Sequence, residues 1–492
     1  MLAAVVTLLG VIPHGNRVEL KLDRGSGEML WASPSAFRFR RSLGDEALRA
    51  TAEKEHEAVA LEVEETSGVV KVRSKFVEVS IQKSGVLVRV RKADGAPLMT
   101  DLTEARSEAE GVSWDREMRS GARYYGMGPR DDGSFDLRGK KVSPTAPLLY
   151  STLGYGEYFP GNGKYRFDFT NMERYRIEAP AIDYWFYYGP AIKQVFEEHN
   201  QIRGTAALWP AETERAGTWA TLRTGLLRIV QGGVSGAIAP TFDLGAYANA
   251  PAELQQRARQ LGSLVSEVSP GKLGVSEFRD QLSTFFDVYA YEAHEKGYPV
   301  WHPLPFQFPD DPECALHADE FMLGDEMLVA PIVAAGGSRA LYLPQGVWTN
   351  LGTNEVFPGR RTITVATASL PVFARNGTIV PLNSEGGMAL HYFPKLGAEF
   401  FLVEEDGWSQ AHAAPAADVL RLQIESKKTR DYQWVVHHVD RPVSVGFEDV
   451  QFREAKGALA DRTWSYDAKT RNLQVRARVA AGEDSIVNVT FE

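Results

Sequence analysis

A chain of 492 residues, 44% hydrophobic and 24% charged, has the make-up of a globular protein with room for roughly three domains. Its net charge of −10 gives no electrostatic support to a nucleic-acid role. A lone cysteine, Cys314, excludes an intramolecular disulfide and any zinc or iron–sulfur site built on thiolates. No apolar run reaches the ~18 residues of a membrane span. Met1–Pro13 is apolar but lacks a basic n-region and a small-x-small cleavage site, so it reads either as a remnant signal peptide or, the favoured reading, as a first β-strand leading into Arg17–Leu22. These features favour a soluble, cytoplasmic chain over a periplasmic or secreted one. The 10 Trp, 18 Tyr and 24 Phe suit stacking on sugar rings, and they suit the cores of large β-sandwiches equally well.

In chain order, residues 1–120 read as β. Val18–Leu22, Phe76–Gln82 and Val86–Lys92 alternate with period two, the mark of half-buried strands, and Asp94-Gly95 supplies hairpin-turn chemistry after the last. The charged stretch Gly44–Glu57 reads as a solvated loop or helix. An antiparallel sandwich of many strands is predicted to about Gly189. Gly189-Pro190 then starts a helix, with Ile192, Val195 and Phe196 as its buried face and an end near His199-Asn200. Beyond it the pattern changes. Thr218–Val230 reads as a helix, Gly233–Thr241 as a small-residue strand, Pro251–Val268 as a second helix and Val275–Lys296 as a third. That order suits a parallel β/α unit. Residues 299–382 return to β, and no internal repeat or low-complexity linker is visible.

Several motifs resemble glycoside hydrolase family 31, the α-glucosidase- and α-xylosidase-like enzymes. They are Tyr125-Gly126-Met127-Gly128, Phe135-Asp136-Leu137-Arg138-Gly139-Lys140, Gly154-Tyr155-Gly156 and Asp183–Pro190 (DYWFYYGP). Further along come Gly297–Leu304 (GYPVWHPL), Phe308-Pro309-Asp310-Asp311, Phe321–Asp325 (FMLGD) with Leu328–Pro331 (LVAP), Tyr342–Trp348 (YLPQGVW), Leu370–Gly377 (LPVFARNG) and Glu404–Gly407 (EEDG). They follow the family's order across most of residues 120–410. His302 departs from the Arg that the family usually carries. The resemblance implies a multidomain, mainly β protein. Its parts are a galactose-mutarotase-like N-terminal β-sandwich over 1–189, a truncated (β/α)-barrel remnant over 190–300, a proximal C-terminal β-domain over 301–385 and a distal β-sandwich over 386–492.

The chemistry is where the resemblance thins. A retaining glycosidase needs two carboxylates about 5–5.5 Å apart. In the family the nucleophile is an Asp in a run like Trp-x-Asp-Met-Asn, and the acid is an Asp in Trp-x-Gly-Asp, five residues before a second Trp. A complete barrel takes about 250 residues, yet only roughly 100 separate His199 from Pro303. No Trp-x-Asp-Met run occurs, so no nucleophile is identified, and the only Trp-Asp pair, Trp114-Asp115, lies in the N-terminal sandwich. Counting five back from Trp219 makes Glu214 the candidate acid/base; the favoured alternative is that Glu212 and Glu214 are acids on an exposed turn before a helix. Trp209 is a candidate sugar-stacking residue or part of the linker. Phe242–Tyr247 (FDLGAY) matches the family's Asp-Ile-Gly-Gly-Phe run, which makes Asp243 a candidate substrate-binding residue or, alternatively, an N-cap. Where the family has Arg-x-His after its next helix, Ser269 and Gly271 stand. His294 and His317 lack a metal-ligand partner at helical or hairpin spacing, so no metal or other cofactor is expected.

Three readings stay open. One is a degenerate family member without the hydrolytic activity that binds carbohydrate (an α-linked glucoside or xyloside) or protein. Another is a working retaining α-glycosidase, with Glu214 and Asp243 or a second copy of the chain completing the site; partial barrels expose apolar faces that favour homo-oligomers. The last is a structural scaffold.

Overall fold

The alternating stretches become strands, and their pairing follows the burial of their apolar faces. In a computed structural model of the chain, the described residues are 5–42, 48, 51, 54–161, 163–204, 217–237, 241–265, 267–269, 273–274, 276–384 and 387–492. They fall into two units. One comprises Met1–Ala207 with Gln231–Ala237 and Lys296–Tyr298; the other comprises Leu208–Val230, Ile238–Glu295 and Pro299–Glu492.

The first unit is built on antiparallel sheets of eight, five and five strands. Ile182–Tyr188 sits inside the eight-stranded sheet, between Ala36–Arg41 and Tyr155–Tyr158. Burial on both faces explains its aromatic run. Tyr184 and Phe186 lie opposite Phe39 and Phe37 and enter the core with Trp31, Trp114 and Tyr175. On the other face Trp185 and Tyr187 stack, and helix α1 (Ile192–Arg203) packs there through His199, whose Nδ1 lies 3.1 Å from the Tyr187 hydroxyl. The helix therefore belongs with the first unit. Pro190 stands before the N-cap Ala191, two positions ahead of the first helical residue, Ile192, where the sequence suggests it would sit; Gln194 Oε1 accepts the Ala191 N–H at 3.0 Å. The apolar N-terminal stretch supplies a strand, Leu8–His14, paired with Arg17–Leu22. Most of Gly44–Glu57 lies outside the described residues.

The Tyr125–Gly128 motif has a backbone reason. Gly126, Met127 and Gly128 have φ of 98°, 68° and 96°. A Cβ on Gly126 would fall 2.1 Å from the Leu148 carbonyl oxygen, and one on Gly128 2.2 Å from Thr145 Oγ1. Arg130 holds the loop by donating to the carbonyls of Gly126 and Ser134, and the fully buried Gln231 accepts the Arg130 N–H at 2.7 Å.

Helix α2 (Trp219–Gly233), whose residues as far as Val230 belong to the second unit, matches the expected helix. Three other expectations are corrected. The strand expected at Gly233–Thr241 is Thr241–Asp243; residues 234–236 form a turn instead. The helix expected to run from Pro251 to Val268 is α3 (Ala252–Gly262), capped as the Ser263 N–H bonds back to the Arg259 carbonyl, and Glu267–Ser269 is a strand. The last helix breaks at Leu282 into α4 (Glu277–Gln281) and α5 (Ser283–Lys296). The two short strands pair in parallel, a strand–helix–strand unit that is the only parallel pairing among the described residues between 190 and 300. Residues 301–375 then form a six-stranded sheet and a two-stranded one around Leu304, Met322, Leu343, Trp348 and Phe373, with Cys314 buried among them. Two further six-stranded sheets take up most of 378–490. The hairpin Thr378–Ser384/Gly387–Phe393 belongs to one of them. No helix among the described residues is long and apolar enough to cross a membrane.

Candidate functional site

The parallel pair places Asp243 beside Ser269, at the carboxyl ends of adjacent strands. That is the end at which β/α architectures assemble their sites. Phe242 is buried and stacks on Tyr247, and Leu244 is sealed under α3. Gln255, on that helix, donates to the carbonyls of Ala248 and Ala250 and fixes the loop. Asp243 itself is half-buried and caps the 3₁₀ turn Leu244–Tyr247, accepting the Gly245 N–H at 2.9 Å. Both positions marked in the sequence thus meet here, with Asp243 engaged as a cap. Trp209, Glu212, Glu214 and Gly271 lie outside the described residues. Asp115, of the lone Trp-Asp pair, is buried in the first unit and paired with Arg174 and Arg176 at 3.1 and 2.9 Å.

Next to this unit in the chain, Trp301 donates through Nε1 to the Leu264 carbonyl at 2.7 Å, tying its strand to the segment that enters Glu267–Ser269. The following residue, His302, is fully buried, with Nδ1 3.2 Å from Asp325 Oδ1 and its ring edge-on to Tyr289. Tyr289 donates to Glu326 Oε2 at 2.6 Å, and the Asp325 N–H reaches the Tyr289 oxygen at 3.0 Å. Gly324 makes this possible: at φ 60° it passes so near Tyr289 that a Cβ would sit 2.2 Å from the ring. Burial, reinforced by the neighbouring Asp325 charge, pushes the Glu326 carboxyl up to about 8. A half-exposed acid and a buried, proton-holding acid therefore stand side by side. Glu326 is only 8% exposed and packed under Tyr289, so its carboxyl is closed to a sugar ring. Sequence reading marked His302 as a departure but missed Tyr289 and Glu326, whose pairing spans 37 positions. The glycine in FMLGD was the available signal.

Contrary to the sequence expectation, His317 does not lack a ligand-type partner at helical spacing: it converges with Asp319 and with Glu320 three residues on, one ligand-type atom from each lying within 4.8 Å of the others. These groups are already held. Glu320 accepts the Tyr342 N–H with both oxygens, at 3.0 and 3.1 Å, and Arg339 lies 3.3 Å from Asp319. His317 stacks on Tyr342 at 5.2 Å. Burial raises the Glu320 carboxyl to about 8, and the Arg339 charge opposes a cation at the same place.

Comparison with known proteins adds ancestry to this geometry. Residues 297–380 match the Glycosyl hydrolase family 31 C-terminal domain. An alpha-glucosidase of Saccharolobus solfataricus is 37% identical over 111 residues, which are 23% of this chain and 16% of that protein. Alpha-glucosidase 2 of Bacillus thermoamyloliquefaciens is 28% identical over 259 residues, 46% of this chain and 32% of that protein. The chain thus spans less than a third of either curated relative. Among solved structures, the cycloalternan-forming enzyme of Listeria monocytogenes, in complex with a pentasaccharide substrate, superposes with a TM-score of 0.82 at 14% identity, over 99% of this chain and 77% of that one. At that identity the likeness speaks for the fold.

Proposed function

This chain belongs to glycoside hydrolase family 31, and from that premise we propose that it is an α-glucosidase-like member that has lost the family's double-displacement hydrolysis and kept the capacity to bind carbohydrate. Segment 190–300 is read as a remnant of the family's barrel. The observation that carries the proposal is the lack of a Trp-x-Asp-Met nucleophile run anywhere in the sequence. Two facts support it. Asp243 is engaged as a cap, and the two acids whose carboxyls burial raises to about 8, Glu320 and Glu326, are buried. Retention needs a nucleophile and an acid facing one anomeric carbon, and removing one member of such a unit abolishes most of the rate. Carbohydrate binding is supported by the pentasaccharide held by the Listeria enzyme of the same fold; the ligand class proposed here is an α-linked glucoside or xyloside.

The test is release of the aryl group from aryl α-glucosides and α-xylosides by purified, cooperatively folding protein. No release above the uncatalysed rate supports the proposal. Turnover abolished by Glu214→Gln and by Asp243→Asn would replace it with an active retaining glycosidase built on those two acids.

A further inference from the structure

One surface of the second unit carries aromatic rings that no core uses. Tyr291 on α5, Phe401 on Ala398–Glu404 and Trp408 on Gly407–Pro415 are 43%, 45% and 39% exposed. They are contiguous. The Tyr291 and Trp408 rings meet edge-on at 4.8 Å and 88°, and Phe401 meets Trp408 at 6.4 Å and 88°. Strand register explains the grouping. Phe401 lies directly opposite Gln410, Trp408 is two residues before Gln410, and side chains two apart on a strand share a face. Helix α5 is held against the same hairpin by Phe285, which stacks on the buried Phe400. Strand backbone and helix packing therefore fix the three rings in place, and aromatic side chains with two rotatable bonds lose little entropy on binding.

The polar surroundings name the occupant. Gln410 stands among the rings, and the next cross-strand pair on the same face is Glu399 with His412, 3.8 Å apart. A hexopyranose presents a flat C–H face to a ring and hydroxyls at its edge, which is the pattern this surface complements. The exposed ring area is about 300 Å², taking roughly 200–250 Å² per aromatic side chain. That is less than half of the ~800 Å² per partner in a stable protein interface. The rim places the Glu399 carboxylate beside His412, so a phosphate or nucleic acid gains nothing here. We propose that Tyr291, Phe401 and Trp408 form a binding platform for a neutral glucan chain, one or two sugar rings long, on elements separate from the Asp243 strand pair. The choice of an α-glucan as probe rests on the function proposed above; the platform itself rests on the rings and their rim.

The experiment is affinity electrophoresis of the full chain through gels containing dextran or soluble starch, with Trp408→Ala, Tyr291→Ala, Trp408→Phe and Asp243→Asn alongside. The expected result is retardation of the wild type that persists at high salt. It weakens about tenfold in Trp408→Ala and in Tyr291→Ala, and is largely kept in Trp408→Phe and in Asp243→Asn. Circular dichroism melts of the Trp408 and Tyr291 variants should match the wild type. Retardation unchanged in both alanine variants overturns the platform, as does a lack of retardation by either glucan, or wild-type self-association that the alanine variants abolish. Loss confined to Asp243→Asn would overturn the platform while leaving carbohydrate binding intact. Aryl-glycoside release judges the loss of hydrolysis independently of every one of these outcomes.

Discussion

Arg116→Met tests how the first unit is held together. Arg116 is fully buried, with its guanidinium over the Tyr184 ring at 4.4 Å. Its Nε donates to Asp101 Oδ1 at 2.9 Å, and its Nη1 bonds Glu157, whose other oxygen accepts the Tyr175 hydroxyl at 3.1 Å. Asp101 also takes the Val88 N–H at 3.0 Å. One cation thus serves two buried acids, and burial holds both acids above the usual carboxylate range even with the cation present. Methionine fills much of the same volume and leaves both acids unpaired. Breaking a buried pair from one side costs about 3–5 kcal/mol, so urea denaturation followed by tryptophan fluorescence should show a midpoint lower by about 1 M or more. The sign of the pH dependence follows. Without the arginine the folded-state acids bind protons more tightly than the unfolded ones, so the loss is largest at neutral pH and shrinks towards pH 5. The triple variant Arg116→Met/Asp101→Asn/Glu157→Gln buries no charge and should regain most of the stability. A loss under about 1 kcal/mol, or one independent of pH, would refute the assignment of this network as the unit's electrostatic centre.

Two other predictions concern the second unit. Glu326 binds its proton up to about pH 8 when folded and releases it near the ordinary carboxylate value of 4.5 when unfolded. Its contribution is therefore fully present below the lower value and is lost as pH rises to the upper one, at about 1.4 kcal/mol per pH unit within that window. Glu326→Gln, which can still accept from Tyr289, should remove that share of the slope in denaturation curves between pH 5 and 8, and an unchanged slope would show that the carboxyl is ionised in the fold. Asp243→Ala removes the acceptor for the Gly245 N–H and should cost ~1 kcal/mol, whereas Asp243→Asn keeps a capping oxygen and should cost only a few tenths. Equal losses in the two variants would mean that the charge, not the cap, matters.

The β-rich architecture was legible because alternation along Arg17–Leu22 and Val77–Gln82 reports burial directly. The aromatic run of Ile182–Tyr188 was legible through family motifs, since a strand buried on both faces has no alternation to read. Two local errors concern where elements begin and end. Val268 extended an apparent helical pattern past Gly262-Ser263, although a glycine followed by serine was the stop signal there, so the Glu267–Ser269 strand was read as helix. Small residues likewise drew the preceding strand too early, over what is a turn at 234–236. Contacts between distant positions had no sequence signature: Tyr289 with Glu326, and Arg116 with Glu157, are meetings created by the fold. At the candidate site, the sequence located Asp243 and the alternative that it caps a turn, and the structure places it in that geometry.

The most direct test of the account is a single-turnover search for a glycosyl-enzyme intermediate, together with steady-state aryl release, using aryl α-glucoside and α-xyloside with the wild-type chain. A chain that has lost the double displacement shows no covalent adduct by intact-mass measurement and no release above the uncatalysed rate. An adduct on any carboxylate of this chain, with release that its amide variant abolishes, would contradict it.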